Sequence, residues 1–153
     1  MNNKYEISFD DKNSKFEIVM DFIKDISFEI PSAEAYINLD QEISKYETKI
    51  NISNKVLKNQ LHEINCNLIL AAPNQLANKI HIEVCLAIIF KFLDDKLSDF
   101  EKKKIILAEI PNLYSSKLSN IIDALFKFSG FNNFTFKKNF DFLELFESNQ
   151  KKI

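Results

Sequence analysis

The sequence predicts an α+β fold: a four-stranded antiparallel meander followed by a long kinked helix and a short C-terminal helix. Three observations predict it. Apolar and polar residues alternate in runs up to Phe92, the period of half-buried strands. Clusters of turn-forming residues separate those runs. Beyond Ser98 the apolar residues recur at helical spacing instead.

The longest alternating run is Phe16 to Pro31, F-E-I-V-M-D-F-I-K-D-I-S-F-E-I-P. Phe16, Ile18, Met20, Phe22, Ile26, Phe28 and Ile30 hold its even positions, broken only by Lys24. Glu17, Asp21, Asp25, Ser27 and Glu29 hold the odd ones, interrupted by Val19 and Ile23. Successive side chains of a strand point to opposite faces. The even face is therefore expected against a core and the acidic odd face in water. A run this long predicts a bend or bulge within it, and Pro31 ends the ladder because it has no N–H to donate.

Residues 32–42 show no clean period and read as a crossing loop, with a helical turn near Ala33 to Ala35. Tyr36, Ile37 and Leu39 are apolar groups within it. Ile43 to Ser53 alternates, with Tyr46, Ile50 and Ile52 on one face. Asn54 to Gln60 is a turn. Leu61 to Ala72 places Ile64, Cys66, Leu68 and Leu70 on one face, and Pro73 and Asn74 break the chain before the next strand. Lys79 to Phe92 has an even face of Ile80, Ile82, Val84, Leu86, Ile88 and Phe90. Both its faces turn apolar after Val84, so its second half is expected to be covered on both sides.

Ser98 with Glu101 is a capping-box signature for the long helix. Ile106, Ile110, Leu113, Leu118, Ile121, Ile122, Leu125 and Phe126 follow at helical spacing, and Gly130, the only glycine, sits where a C-terminal cap belongs. Pro111 inside this run removes a backbone bond at a cost of roughly 3 kcal/mol. The spacing therefore predicts a kinked helix, or two segments meeting near Pro111. Residues 131–138 read as an extended link, and Asn139 as the cap of a short helix carrying Phe140, Phe142, Leu143, Leu145 and Phe146. The expected organisation is an N-terminal arm over 1–14, one domain over 15–147 and a polar tail over 148–153.

Composition excludes several function classes. The chain has 153 residues, with 20 basic and 22 acidic side chains for a net charge of −2. That balance offers no electrostatic case for nucleic acid. No apolar run reaches transmembrane length and the first residues lack a signal peptide's apolar core, so no membrane insertion is expected. Cys66 and Cys85 are too few for a disulfide framework or a metal knuckle, and a reducing cytoplasm is the expected setting. There is no glycine-rich phosphate loop, metal-ligand spacing or nucleophile elbow. No catalytic residue, metal or cofactor is expected. His62 and His81 lie on opposite faces by parity and are expected to be structural or solvated. Cys85 falls on the wet face, and no neighbour in sequence lowers its pKa.

F-I-K-D-I-S-F-E-I-P, residues 22–31, closely resembles the Y-x-K-D-[IL]-S-x-E-x-P segment of the SecB family, bacterial protein-export chaperones. I-E-V-C-L-A-I-I-F at 82–90 resembles its fourth-strand segment, I-P-N at 110–112 its C-P-N, and N-F-D-F-L-E-L-F at 139–146 its closing N-F-D-A-L-F. The match runs in order over roughly residues 16–147. It departs from the family at Ala87 and Ile88, where a glycine pair is usual, and in L-Y-S-S-K-L-S-N at 113–120.

The resemblance implies a cytosolic, ATP-independent holdase that binds unfolded preproteins and passes them to the translocation ATPase SecA. It also implies a homotetramer, a dimer of dimers. The SecA tail would dock on an acidic sheet face whose matching positions are Asp25, Glu29 and Glu83. Parity independently puts all three on the odd faces of their strands, and they form one surface if the first and fourth strands are neighbours. The expected client groove draws on Tyr36, Ile37, Leu39, Tyr46, Phe140, Leu143 and Phe146, residues that would serve a core equally well. Alternatives are a SecB-like chaperone dedicated to one client, such as an antitoxin, and a non-chaperone α+β binding domain.

Overall fold

The structure is a computed structural model that describes residues 14–74, 76, 79–132, 135–136 and 140–151. Apart from Ser14, the expected N-terminal arm lies outside the described residues, as does Asn139. Four strands, β1 (Phe16–Glu29), β2 (Glu47–Val56), β3 (His62–Ala71) and β4 (His81–Phe92), form one antiparallel sheet. The fold class is α+β, as expected.

Strand order corrects the simple meander. The sheet runs β1-β4-β3-β2, so only β2 to β4 form a meander and β1 lies on the far side of β4. The segment that makes this crossing is a helix, α1 (Ala33–Glu42), where a loop was expected. Ser32 caps it, its Oγ accepting from Ala35 N at 3.1 Å. Only Ala35 and Leu39 are fully buried along it. One buried i, i+4 pair is too little periodicity to identify a helix from sequence. Ile43–Lys45 is a 3₁₀ turn, so β2 begins later than its alternation suggested.

Strand β1 holds the other correction. Its register against β4 slips between Ile18 and Met20 and again between Ile23 and Asp25. Each slip inserts an extra residue, Val19 and then Lys24, and each reverses which face the next side chains occupy. Met20 therefore pairs with Ile89 and Phe22 with Ala87 on the outer face, while Asp21 and Ile23 turn to the helix side opposite Ile88 and Leu86. The expected single apolar face of β1 holds only at its two ends. Val19 and Lys24 are two of the three residues that broke its alternation, the third being Ile23, which the first slip turns inward.

The helices pack on the inner face. Ile64, Cys66, Leu68, Ile82, Val84, Leu86, Ile88 and Phe90 from the sheet share one core with Leu118, Ile122 and Phe126. Truncating one of these, Leu118→Ala for instance, costs roughly 2–5 kcal/mol. As expected, β4 is buried on both faces from Leu86 to Phe90. On the outer side Ala87 and Ile89 are flanked by Met20 and Phe22 of β1 and by Glu63 and Asn65 of β3.

The long helix is segmented: α2 (Asp99–Lys104), a π-turn (Ile105–Glu109), α3 (Ile110–Leu113) and α4 (Ser115–Phe128). The capping box forms, with Ser98 Oγ accepting from Glu101 N at 3.2 Å and Glu101 Oε2 accepting from Ser98 N at 2.9 Å. In the π-turn Ile110 N–H reaches back to Ile105 O, and buried Pro111 follows directly. The wider turn sits just before the residue that cannot donate. Helical geometry then breaks at Tyr114. Gly130, at φ +89°, closes α4: its N–H donates to Lys127 O and that of Phe131 to Phe126 O, the paired bonds of a Schellman cap.

The C-terminal helix α5 (Phe142–Gln150) starts two residues later than expected and is capped by Asp141, whose Oδ1 accepts from Glu144 N at 3.0 Å. It continues past Ser148, the expected start of the tail. Phe140 precedes the helix.

Candidate functional site

Because β1 and β4 are neighbours, the three carboxylates singled out from the sequence come together. Asp25 lies opposite Cys85, Ser27 opposite Glu83 and Glu29 opposite His81. Opposed residues of an antiparallel pair share a face, and past the second bulge the odd residues of β1 face outward. Asp25, Glu29 and Glu83 thus sit on the outer side of the sheet, away from the helical core. Asp25 and Glu29 are exposed and Glu83 is half-buried.

Glu83 is held in place. Its Oε1 accepts from Asn67 Nδ2 at 2.8 Å, and its Oε2 lies 3.3 Å from His81 Nε2. Lys24, the second bulge residue, reaches across to β3 and meets Glu63 Oε1 at 2.5 Å. That hydrogen bond holds the Glu63 carboxyl below its usual range and raises the lysine. The Glu63 charge is therefore matched locally. Among the described residues no cation pairs with Asp25 or Glu29. The surface also has an apolar strip, Met20 and Phe22, beside Asp25. Sequence reasoning assigned that strip to the core, and the breaks at Val19 and Lys24 were the signal that could have found it.

Cys85 is half-buried and burial pushes its thiol up, which disfavours the thiolate. Cys66, inside the core, is pushed up to about 12, also by burial. His62 is on the inner face, as parity predicts, stacked on Phe90 with ring centroids 5.2 Å apart and edge-on to Phe92 with centroids 4.9 Å apart. Burial, then Lys102, lowers its pKa. Among the described residues no group of three or more His, Cys, Asp or Glu could hold a metal ion, and no helix is long and apolar enough to cross a membrane.

The residues expected to line a groove divide among three settings. Leu39 (1 % exposed) and Tyr46 (8 %) are in the main core; the Tyr46 hydroxyl accepts from Ile80 N at 2.9 Å. Tyr36 and Ile37 lie on α1, where Tyr36 meets Phe131 edge-on at 6.3 Å and Ile37 is 74 % exposed. Phe140, Leu143 and Phe146 belong to a second cluster with Ala108 and Phe142, packed on Ile50 and Ile52 of β2. Two bonds fix that segment: Phe140 N donates to Ser115 Oγ at 3.1 Å and Phe142 N to Asn112 Oδ1 at 3.3 Å. In this structure the surface-available members are Tyr36, Ile37, Phe140 and Leu143.

The chain matches the SecB family, preprotein translocase subunit SecB, over residues 10–153. It is 37 % identical over 133 residues to the protein-export protein SecB of Pelagibacter ubique, covering 86 % of this chain and 94 % of that one. Among solved structures it resembles the Mycobacterium tuberculosis SecB-like chaperone in complex with a ChAD peptide from the HigA1 antitoxin. The TM-score is 0.59 at 10 % identity, covering 81 % of this chain and 89 % of that one. That likeness concerns the fold: one antiparallel sheet with helices laid against it. Matched across nearly its whole length, the chain belongs to the SecB family.

Proposed function

We propose that the protein is an ATP-independent holdase that keeps unfolded precursor proteins competent for export and delivers them to SecA. Family membership supports a chaperone role in protein export. The observation that carries the finer reading is the shared outer face of Asp25, Glu29 and Glu83, with two carboxylates that no cation pairs among the described residues and one braced by Asn67. A basic, zinc-bearing tail of SecA would be drawn to it electrostatically, mainly through the capture rate and less so at high salt.

Client binding uses other surfaces. Exposed Ile37 with Tyr36 on α1, and Phe140 with Leu143 beside α5, offer apolar groups to many non-native chains without a shaped pocket. Leu39, Tyr46 and Phe146 support these surfaces from beneath. The assembly we propose is a homotetramer, a dimer of dimers, in the cytoplasm, with no catalytic residue and no cofactor. Its basis is β1: an edge strand of 14 residues on which Val19, Met20, Phe22, Ile23 and Ile26 are all exposed. A long apolar edge is a template for pairing with another chain.

The test is suppression of aggregation of a chemically denatured client, without nucleotide, followed by capture on an immobilised SecA tail. Suppression with capture that is lost on Asp25→Lys and Glu83→Lys supports the proposal. Suppression with capture unchanged by both reversals refutes the docking face. Suppression of one dedicated client alone, without tail capture, replaces export with a single-client role.

A further inference from the structure

Between α2 and α5 lies a cavity of about 310 Å³, lined by Phe100, Lys104, Phe146, Glu147, Gln150 and Lys151. Its wall is aromatic: the rings of Phe100 and Phe146 lie 5.7 Å apart at 52°. Phe100 is 56 % exposed, and covering it would remove a large apolar surface from water. Lys104 and Lys151 flank the opening against one carboxylate, Glu147, and Lys102 and Lys103 add to the last turn of α2. The cavity thus suits an aromatic or aliphatic side chain with acidic neighbours.

Such a segment begins beside it. Lys15 is fixed at two points: its carbonyl accepts from Leu93 N at 2.9 Å, and its Nζ meets Glu101 Oε1 at 3.0 Å, one residue from Phe100. Upstream, residues 5–9 read Y-E-I-S-F, with Tyr5, Ile7 and Phe9 alternating with polar residues, and Glu6, Asp10 and Asp11 supply carboxylates. An extended chain covers about 3.3–3.6 Å per residue, so Phe9 has a reach of about 20 Å from Lys15. A tether this short gives an effective concentration on the order of mM. Residues 1–9 also precede the span matched to the family, so this segment lies outside the shared family pattern.

We propose that residues 5–9 of the chain dock in their own α2–α5 cavity, with Phe9 against Phe100 and Phe146 and the flanking carboxylates toward Lys104 and Lys151. The segment is an intramolecular ligand of a site separate from the acidic sheet face. The inference does not depend on export or on SecA.

The chain has no tryptophan, so Phe9→Trp in the full-length protein is a single reporter. The expected emission is blue-shifted and protected from acrylamide relative to a free peptide of residues 1–13 bearing the same substitution, with no change on dilution. Phe100→Ser, at a mostly exposed position, and the double reversal Lys104→Glu with Lys151→Glu should each return the free-peptide spectrum while far-UV dichroism stays native. Free-peptide emission in the parent chain overturns the proposal. So does a blue shift that survives both variants, or one that fades on dilution, which would make the occupant a second copy.

Discussion

The Tyr114 hydroxyl donates to Asp21 Oδ2 across 3.1 Å, joining the break in the long helix to the bulged middle of β1. Asp21 Oδ1 is also met by Lys117 Nζ from the first turn of α4. By simple alternation Asp21 belongs to the wet acidic face. The bulge at Val19 delivers it to the helix side, where it anchors the helices to an edge strand. Burial, then Asp21, raises the Tyr114 phenol above its ordinary pKa, so the donor persists well into the alkaline range.

Removing Asp21 leaves a buried hydroxyl without its acceptor. Asp21→Ala is expected to destabilise by about 1–3 kcal/mol, whereas Tyr114→Phe, which leaves Asp21 with Lys117, costs only about 0.5–1.5 kcal/mol. Urea midpoints at constant slope separate the two. Equal losses would mean that neither the orphaned Tyr114 hydroxyl nor the Lys117 contact contributes.

On the outer face, each exposed charge is worth about 0.2–1 kcal/mol, or up to roughly fivefold in the capture rate of a basic tail. Asp25→Asn should therefore slow capture and flatten its salt dependence. Glu63→Gln should also slow capture, because it frees the positive charge of Lys24 on the same surface. Lys24→Ala should speed capture by freeing Glu63. Association rates at two ionic strengths check all three, and a faster Glu63→Gln than wild type would contradict the pairing.

The edge of β1 should govern assembly. Ile23 and Ile26 point to the helix side and remain exposed in the single chain. Ile23→Glu with Ile26→Glu is expected to yield monomers in sedimentation equilibrium, with far-UV dichroism preserved. Wild-type mass in that variant would move the interface off this strand.

His62 should impose an acid limb on stability. Its folded pKa is lowered, chiefly by burial, while the unfolded imidazole takes its proton near pH 6.5. The unfolded state therefore binds more protons over that window. Stability is whole above about pH 6.5 and is lost as pH falls toward the lowered folded value. Denaturant midpoints between pH 7.5 and 5.5 should decline in the wild type and decline less in His62→Leu. Parallel declines would assign the effect to other groups.

The sequence by itself determined the α+β class, the strand count, the capping box at Ser98, the cap at Gly130 and the outward placement of Glu83. Each of these is local: a period of two, a pair of side chains three apart, a backbone that needs positive φ. Asp25 and Glu29 keep the outward parity that alternation gave them because the two slips of β1 cancel. What only the tertiary structure decided was non-local. Strand order depends on which neighbour β1 finds after α1 carries the chain across, and alternation within β1 is the same at either edge of the sheet. The bulges at Val19 and Lys24 left a mark in the sequence as breaks in the pattern. Their consequence, Asp21 inward and Met20 and Phe22 outward, exists only against the register of β4. Leu39, Tyr46 and Ile37 are equally apolar on paper. Burial between the sheet and the helices makes the first two core and leaves the third free to meet a partner.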